Sequence, residues 1–238
     1  MTHHIDLDSV VLSSGAHVNR DDGTCLLEAA AWWAGEPHSD QPGCVSPVLA
    51  GFGRSWNDGM RSDEERASLR QYIPLLVGTA GDRDADERRA WMAADWLVRT
   101  CAPTWLRRAG LDDLAGRLAG LRPVTDRDYA ERVLLEIAGV AEAAEIAGRA
   151  AMSYANTVYS AAASAAMAAT AVGAAVDAAW EGAFVESAVA VDADNAAISA
   201  RGAISVLTAR GVTLGDLEPT IQELQRSAHD LLARMIAG

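Results

Sequence analysis

Leu217, Ile221, Leu224, Ala228, Leu231 and Met235 recur every three or four residues, which places them on one stripe of a helix beginning near Asp216. Leu111, Leu114, Leu118 and Leu121 repeat that spacing, as do Trp91 with Val98 and Met92 with Trp96. Punctuation agrees with the pattern. Thr24 would cap a helix running to Ala34, with Gly35 free to close it in the left-handed conformation. Ser62 with Glu65, and Asp84 with Glu87, have capping-box spacing, and Pro74 interrupts the first of those helices. "PTWLRRAG" starts on Pro103 and stops at Gly110. Only "IDLDSVVL" looks extended.

From Thr125, a candidate cap, the chain becomes an alanine-rich run, and alanine is the best helix former. Gly139, Gly148, Gly173, Gly182 and Gly202 are its candidate bends. Six of the seven tryptophans and all three cysteines precede residue 106. The change of texture sets a boundary near Pro123, dividing a helical region rich in Trp, Cys and His (1–122) from an alanine-rich helical bundle (123–238). The expected fold is all-α, with the first region packed on the bundle. Ala150 to Val176 carries no charge and is long enough to span a bilayer, which raises a membrane-associated alternative. Its alanine, serine and threonine content, without leucine or isoleucine, instead favours a helix buried in a bundle.

Charge narrows the partners. The formal net charge is -13 and the sequence pI is near 4.7, so neither nucleic acid nor an anionic membrane is expected as a partner. All the basic residues are arginine, a mark of a GC-rich genome. Three cysteines do not make a disulfide scaffold, and "MTHHIDLDSVVLSS" lacks the basic start and apolar run of a signal peptide. A cytoplasmic location is the expectation.

Candidate chemistry gathers around "GTCLLEAAAWWAG". His17, Cys25, His38 and Cys44 are separated by seven, twelve and five residues, and two imidazoles with two thiolates make a tetrahedral set for zinc. Alternatively, Cys25 at a helix start would be a thiolate nucleophile working with His17 or His38. About a dozen residues, "TCLLEAAAWWAGEP", resemble the active-site helix of papain-like cysteine peptidases, which implies a later sheet bearing the histidine. Here His229 alone follows His38, within a helical pattern. The third reading makes Cys25 and Cys44 small core residues. A binding surface would draw on Glu28, Asp40, Trp32, Trp33 and Trp56, with Arg54, Arg88, Arg89 or Arg99 meeting a small anionic ligand. The sequence displays no Gly-rich phosphate loop and no Ser-His-Asp arrangement.

The elements Gly23-x-Cys25-x-x-Glu28, Ala34-Gly35-Glu36, Ser39-Asp40 and Pro42-x-Cys44, followed by "SWND" and "RAWMAADWLVRTCAPTWLRRAGL", resemble a group of proteins from actinobacteria and their phages that has no established activity. The resemblance covers the first half. It implies a host and a phage or mobile-element origin, and with it a host-modulating interaction role, but nothing catalytic. A non-enzymatic binding or interaction protein is therefore the expectation, with an enzyme using the Cys25 and histidine cluster as the alternative.

Overall fold

A computed structural model describes residues 6–154 and 187–238, and the fold is all-α: no strand occurs among the described residues. The described residues open with a 3-10 turn at Leu7–Ser9, where the Asp6 carboxylate accepts from Asp8 N. That corrects the start of the extended reading, because a capping aspartate bends the chain. Beyond it the alternation holds, with Val10 and Leu12 buried and Val11 exposed.

Helices α1 (Leu26–Ala34) and α2 (Pro47–Gly59) follow. Next come α3 (Asp63–Ala67), a 3-10 turn (Ser68–Tyr72) and the short α4 (Ile73–Leu76), so Pro74 starts a new turn rather than only ending one. Helix α5 (Arg83–Trp96) is capped by Asp82, whose carboxylate accepts from Ala85 N, and not by Asp84. It runs through a π-turn (Leu97–Cys101) into α6 (Ala102–Arg108). Pro103 explains the widened turn. Its ring carries no N–H and crowds the carbonyl four residues back, so the helix shifts to the wider hydrogen-bond spacing instead of breaking. Helix α7 (Asp112–Ala119) leads to α8 (Arg127–Tyr154), whose first turn is capped by Asp126 through Tyr129 N rather than by Thr125.

Helices α9 (Ser187–Ala209) and α10 (Leu214–Ala237) complete the described chain. Gly139, Gly148 and Gly202 lie inside continuous helices; Gly173, Gly182 and most of the charge-free stretch lie outside the described residues. Among the described residues, no helix is long and apolar enough to cross a membrane.

Small residues do their work where α8 meets α9. A Cβ on Gly202 would lie 2.5 Å from the Ala144 carbonyl, and one on Gly148 would lie 2.9 Å from the Gly202 oxygen. The two backbones touch, which only glycine permits. One contiguous core runs from Val10 to Met235 and crosses the Pro123 boundary, taking in Trp56, Trp96, Trp105, Ile137, Val140, Ala203 and Leu231. Helix α10 docks with its predicted stripe buried, from Leu217 to Met235.

Polar pins fix this docking. Trp96 Nε1 donates to Ser227 Oγ at 2.6 Å, and the buried Arg89 donates through Nε to the Met235 carbonyl at 2.9 Å. Arg89 also pairs with Asp86 at 2.9 Å, and Asp86 accepts from the hydroxyl of Ser46, the residue that caps α2.

Candidate functional site

The loop 13–23 is strapped across the start of α1. Ser13 N donates to the Thr24 carbonyl at 2.9 Å, and Thr24 N donates back to Ser13 Oγ at 3.1 Å. From α2, the fully buried Asn57 donates to the Ser13 carbonyl at 2.9 Å, and Asp58 accepts from Gly15 N at 2.7 Å. The loop is thus tied to two helices before any of its functional side chains is considered.

Cys25, not Thr24, is the N-cap of α1, and Glu28 completes a capping box by accepting from Cys25 N at 2.7 Å. Glu28 does more than cap. It is only 1 % exposed, its Oε1 accepts from His17 N at 2.6 Å, and its Oε2 lies 2.8 Å from His17 Nδ1. His38 reaches the same carboxylate from the other side, with Nε2 3.5 Å from Oε1 and 3.1 Å from the His17 carbonyl. Burial works against the Glu28 charge, but the N–H groups of Cys25 and His17 and the His17 ring outweigh it and hold the carboxyl below its usual range.

An ionised carboxylate only accepts, so His17 Nδ1 carries a hydrogen toward Glu28, and Nε2 lies on the other side of the ring. Ser13 Oγ sits 3.1 Å from that Nε2. The result is a Ser13–His17–Glu28 chain of hydrogen bonds, a Ser-His-acid arrangement that the sequence alone did not reveal. The available signal was S-x-x-x-H ahead of G-x-C-x-x-E. Gly23 makes the arrangement possible: its φ is +143°, and a Cβ there would overlap Cδ2 and Nε2 of His17 and approach Ser13 Oγ to 2.8 Å.

The fold therefore gathers His17, Cys25 and His38 around Glu28, but Cys44 is engaged elsewhere. Burial and the negative charge of Glu36 push its thiol up to about 11. Among the described residues, no group of three or more His, Cys, Asp or Glu side chains is placed to hold a metal ion. His38 Nδ1 is buried with no hydrogen-bond partner.

The thiolate reading meets a physical obstacle. Cys25 is 1 % exposed, and burial, with the Glu28 charge adding to it, pushes its thiol up to about 12 despite the helix N–H groups nearby. Cys101 is buried in the core, which raises its thiol further. Helix position alone suggested activation; desolvation and a neighbouring carboxylate reverse the sign.

The remaining candidates separate. Trp56 is buried among Phe52, Tyr72 and His229. Trp32 and Trp33 are partly buried, and Trp32 carries the Arg20 guanidinium 4.5 Å above its ring. Arg89 is a buried pin, Arg88 is exposed, and Arg99 pairs with Asp95. Arg54 is held by Asp40, donating to its carbonyl at 3.0 Å, and lines a groove of about 540 Å³. The groove's other walls are Pro42, Val45, Pro47, Ala50 and Ala80, with Gln41 and Gly43 at the loop side. No family model matches this chain, and neither the curated proteins nor the solved structures contain a match to it.

Proposed function

We propose that the chain is a binding protein and that the groove beside Arg54 takes a small ligand bearing a single carboxylate on an apolar body. The observation that carries this reading is the groove itself. Its volume falls within the range of small-molecule sites, and Pro42, Val45, Pro47, Ala50 and Ala80 supply an apolar wall against one guanidinium. With a net charge of -13 around it, one arginine favours a singly charged ligand over a polyanion. The raised thiols of Cys25 and Cys44 weigh against a cysteine enzyme. The resemblance of the first half to actinobacterial and phage proteins extends the reading to a host-modulating role exercised through that ligand.

The test is ligand-observed NMR with a panel of aromatic and branched aliphatic carboxylates and their isosteric primary amides. Carboxylates should show contacts that their amides lack, and Arg54→Gln should abolish them while leaving the thermal midpoint near that of the parent. Equal signals from acids and amides, or binding unchanged in Arg54→Gln, would refute the reading.

A further inference from the structure

We propose that Ser13 is a nucleophile activated by His17, giving the chain a hydrolytic activity toward small activated esters that is independent of the Arg54 groove. Three features carry the proposal together. The order of contacts is that of a general-base relay: Ser13 Oγ lies 3.1 Å from His17 Nε2, and His17 Nδ1 lies 2.8 Å from Glu28 Oε2. The acid is buried and fixed by two backbone N–H groups, so the imidazole is oriented with Nδ1 toward Glu28 and Nε2 toward Ser13. Finally, Thr24 N–H donates to Ser13 Oγ at 3.1 Å, which fixes the position of the hydroxyl oxygen beside the His17 ring.

A purely fastening role accounts for Glu28, which caps α1 and anchors the loop. Fastening uses Ser13 Oγ as an acceptor from Thr24 N and does not need its contact with the ring. Ser13 has the Thr24 carbonyl at 3.5 Å as another acceptor, yet its closer contact is His17 Nε2 at 3.1 Å. Ser13 is half-buried, and Ser14, Ala16 and Val18 nearby are exposed, so this segment lies at the surface of the protein.

With an ester, Ser13 Oγ forms a bond to the carbonyl carbon as its proton passes to His17 Nε2. The ester C–O bond then breaks, and the alcohol leaves with that proton. Water, deprotonated by His17, attacks the acyl-serine, releasing the carboxylic acid and returning the proton to Ser13. Glu28 is a positioning residue that keeps the ring oriented and balances its transient positive charge.

The experiment treats the full chain with a small alkyl phosphonofluoridate, in which the Ser13 Oγ–P bond replaces the P–F bond, and maps the adduct by peptide mass spectrometry. The adduct is expected on Ser13. The rate should fall by about 100-fold or more in His17→Ala, the typical scale of a positioned general base. Free imidazole should restore part of the His17→Ala rate, which a merely structural histidine would not allow. Turnover of p-nitrophenyl acetate should be lost in Ser13→Ala with the helical circular dichroism unchanged. Absence of an adduct on Ser13 in the folded parent protein would overturn the proposal, as would turnover undiminished in Ser13→Ala.

Discussion

Gly23 packs against Cδ2 and Nε2 of the His17 imidazole, close enough that the position accepts no side chain. This packing, rather than loop flexibility, defines the glycine of the Gly23-x-Cys25-x-x-Glu28 pattern. Gly23→Ala combines an unfavourable positive φ with a clash against a ring that is itself anchored to Glu28. It should cost on the order of 1–3 kcal/mol in chemical denaturation. Stability within a few tenths of the parent would mean that the His17 ring readily moves aside.

Thiol reactivity gives a second prediction. At neutral pH in the native protein, Cys25 and Cys101 should resist iodoacetamide and Cys44 should react slowly, since burial raises all three thiols. In denaturant all three should alkylate at the rate of a free peptide thiol. Quantitative peptide mapping of the two samples decides the point, and rapid native labelling of Cys25 would restore the nucleophile reading.

The contact between α8 and α9 predicts a strong response to a single methyl group. Gly202→Ala drives a Cβ into the Ala144 carbonyl, a backbone atom that cannot rotate away. The helices must separate, at a cost of roughly 1–3 kcal/mol. Differential scanning calorimetry should register ~2–4 °C of lost midpoint for each of those. Gly116→Ala, with open space around its Cβ position, is the matched control and should be neutral or slightly stabilising.

His229 provides a pH prediction. Its ring stacks on Tyr72 at 5.7 Å between centroids and meets the Trp56 ring edge-on at 4.5 Å, with Nδ1 2.9 Å from the Tyr72 hydroxyl. Burial holds its pKa below the usual histidine value, with the Asp230 charge opposing. The unfolded chain therefore takes up this proton first as pH falls. Stability from this group is complete above the unfolded value of roughly pH 6.5 and declines on acidification below it. The thermal midpoint should fall in that window, above the range where carboxylates titrate, and His229→Gln should flatten that part of the profile. An equal slope in both proteins would assign the effect to other groups.

Much of the fold can be read from the sequence because helix periodicity and caps are local. The α10 stripe, the closing Gly35 and the stop at Gly110 follow from spacing and backbone preference alone. The misplaced caps at Thr24, Asp84 and Thr125 each sit one or two residues from the true one, where several capping residues are adjacent and tertiary packing chooses among them. The π-turn arises from Pro103 inside a helix that packing holds together, a contest that periodicity does not record. At the site, Cys25, His17, His38 and Glu28 stand out by residue type. Ser13 does not, because its approach to His17 depends on a loop fastened by Asn57 and Asp58, more than forty residues away. The carboxylate beside Cys25 is three residues along in the sequence, but the burial that does most to raise its thiol comes from tertiary packing.

The buried Arg89 joins three elements that are distant in the chain. Through Asp86 it reaches the Ser46 cap of α2, and through its Nε it holds the last turn of α10 at Met235. Pro47, next to that cap, lines the Arg54 groove. Fraying of the final helical turn would thus remove the acceptor of Arg89 Nε and loosen a network that reaches the α2 cap beside the groove. Amide hydrogens near Met235 and those opening α2 should then exchange in concert, so that the tail of α10 and the start of α2 behave as one unit although they lie at opposite ends of the chain.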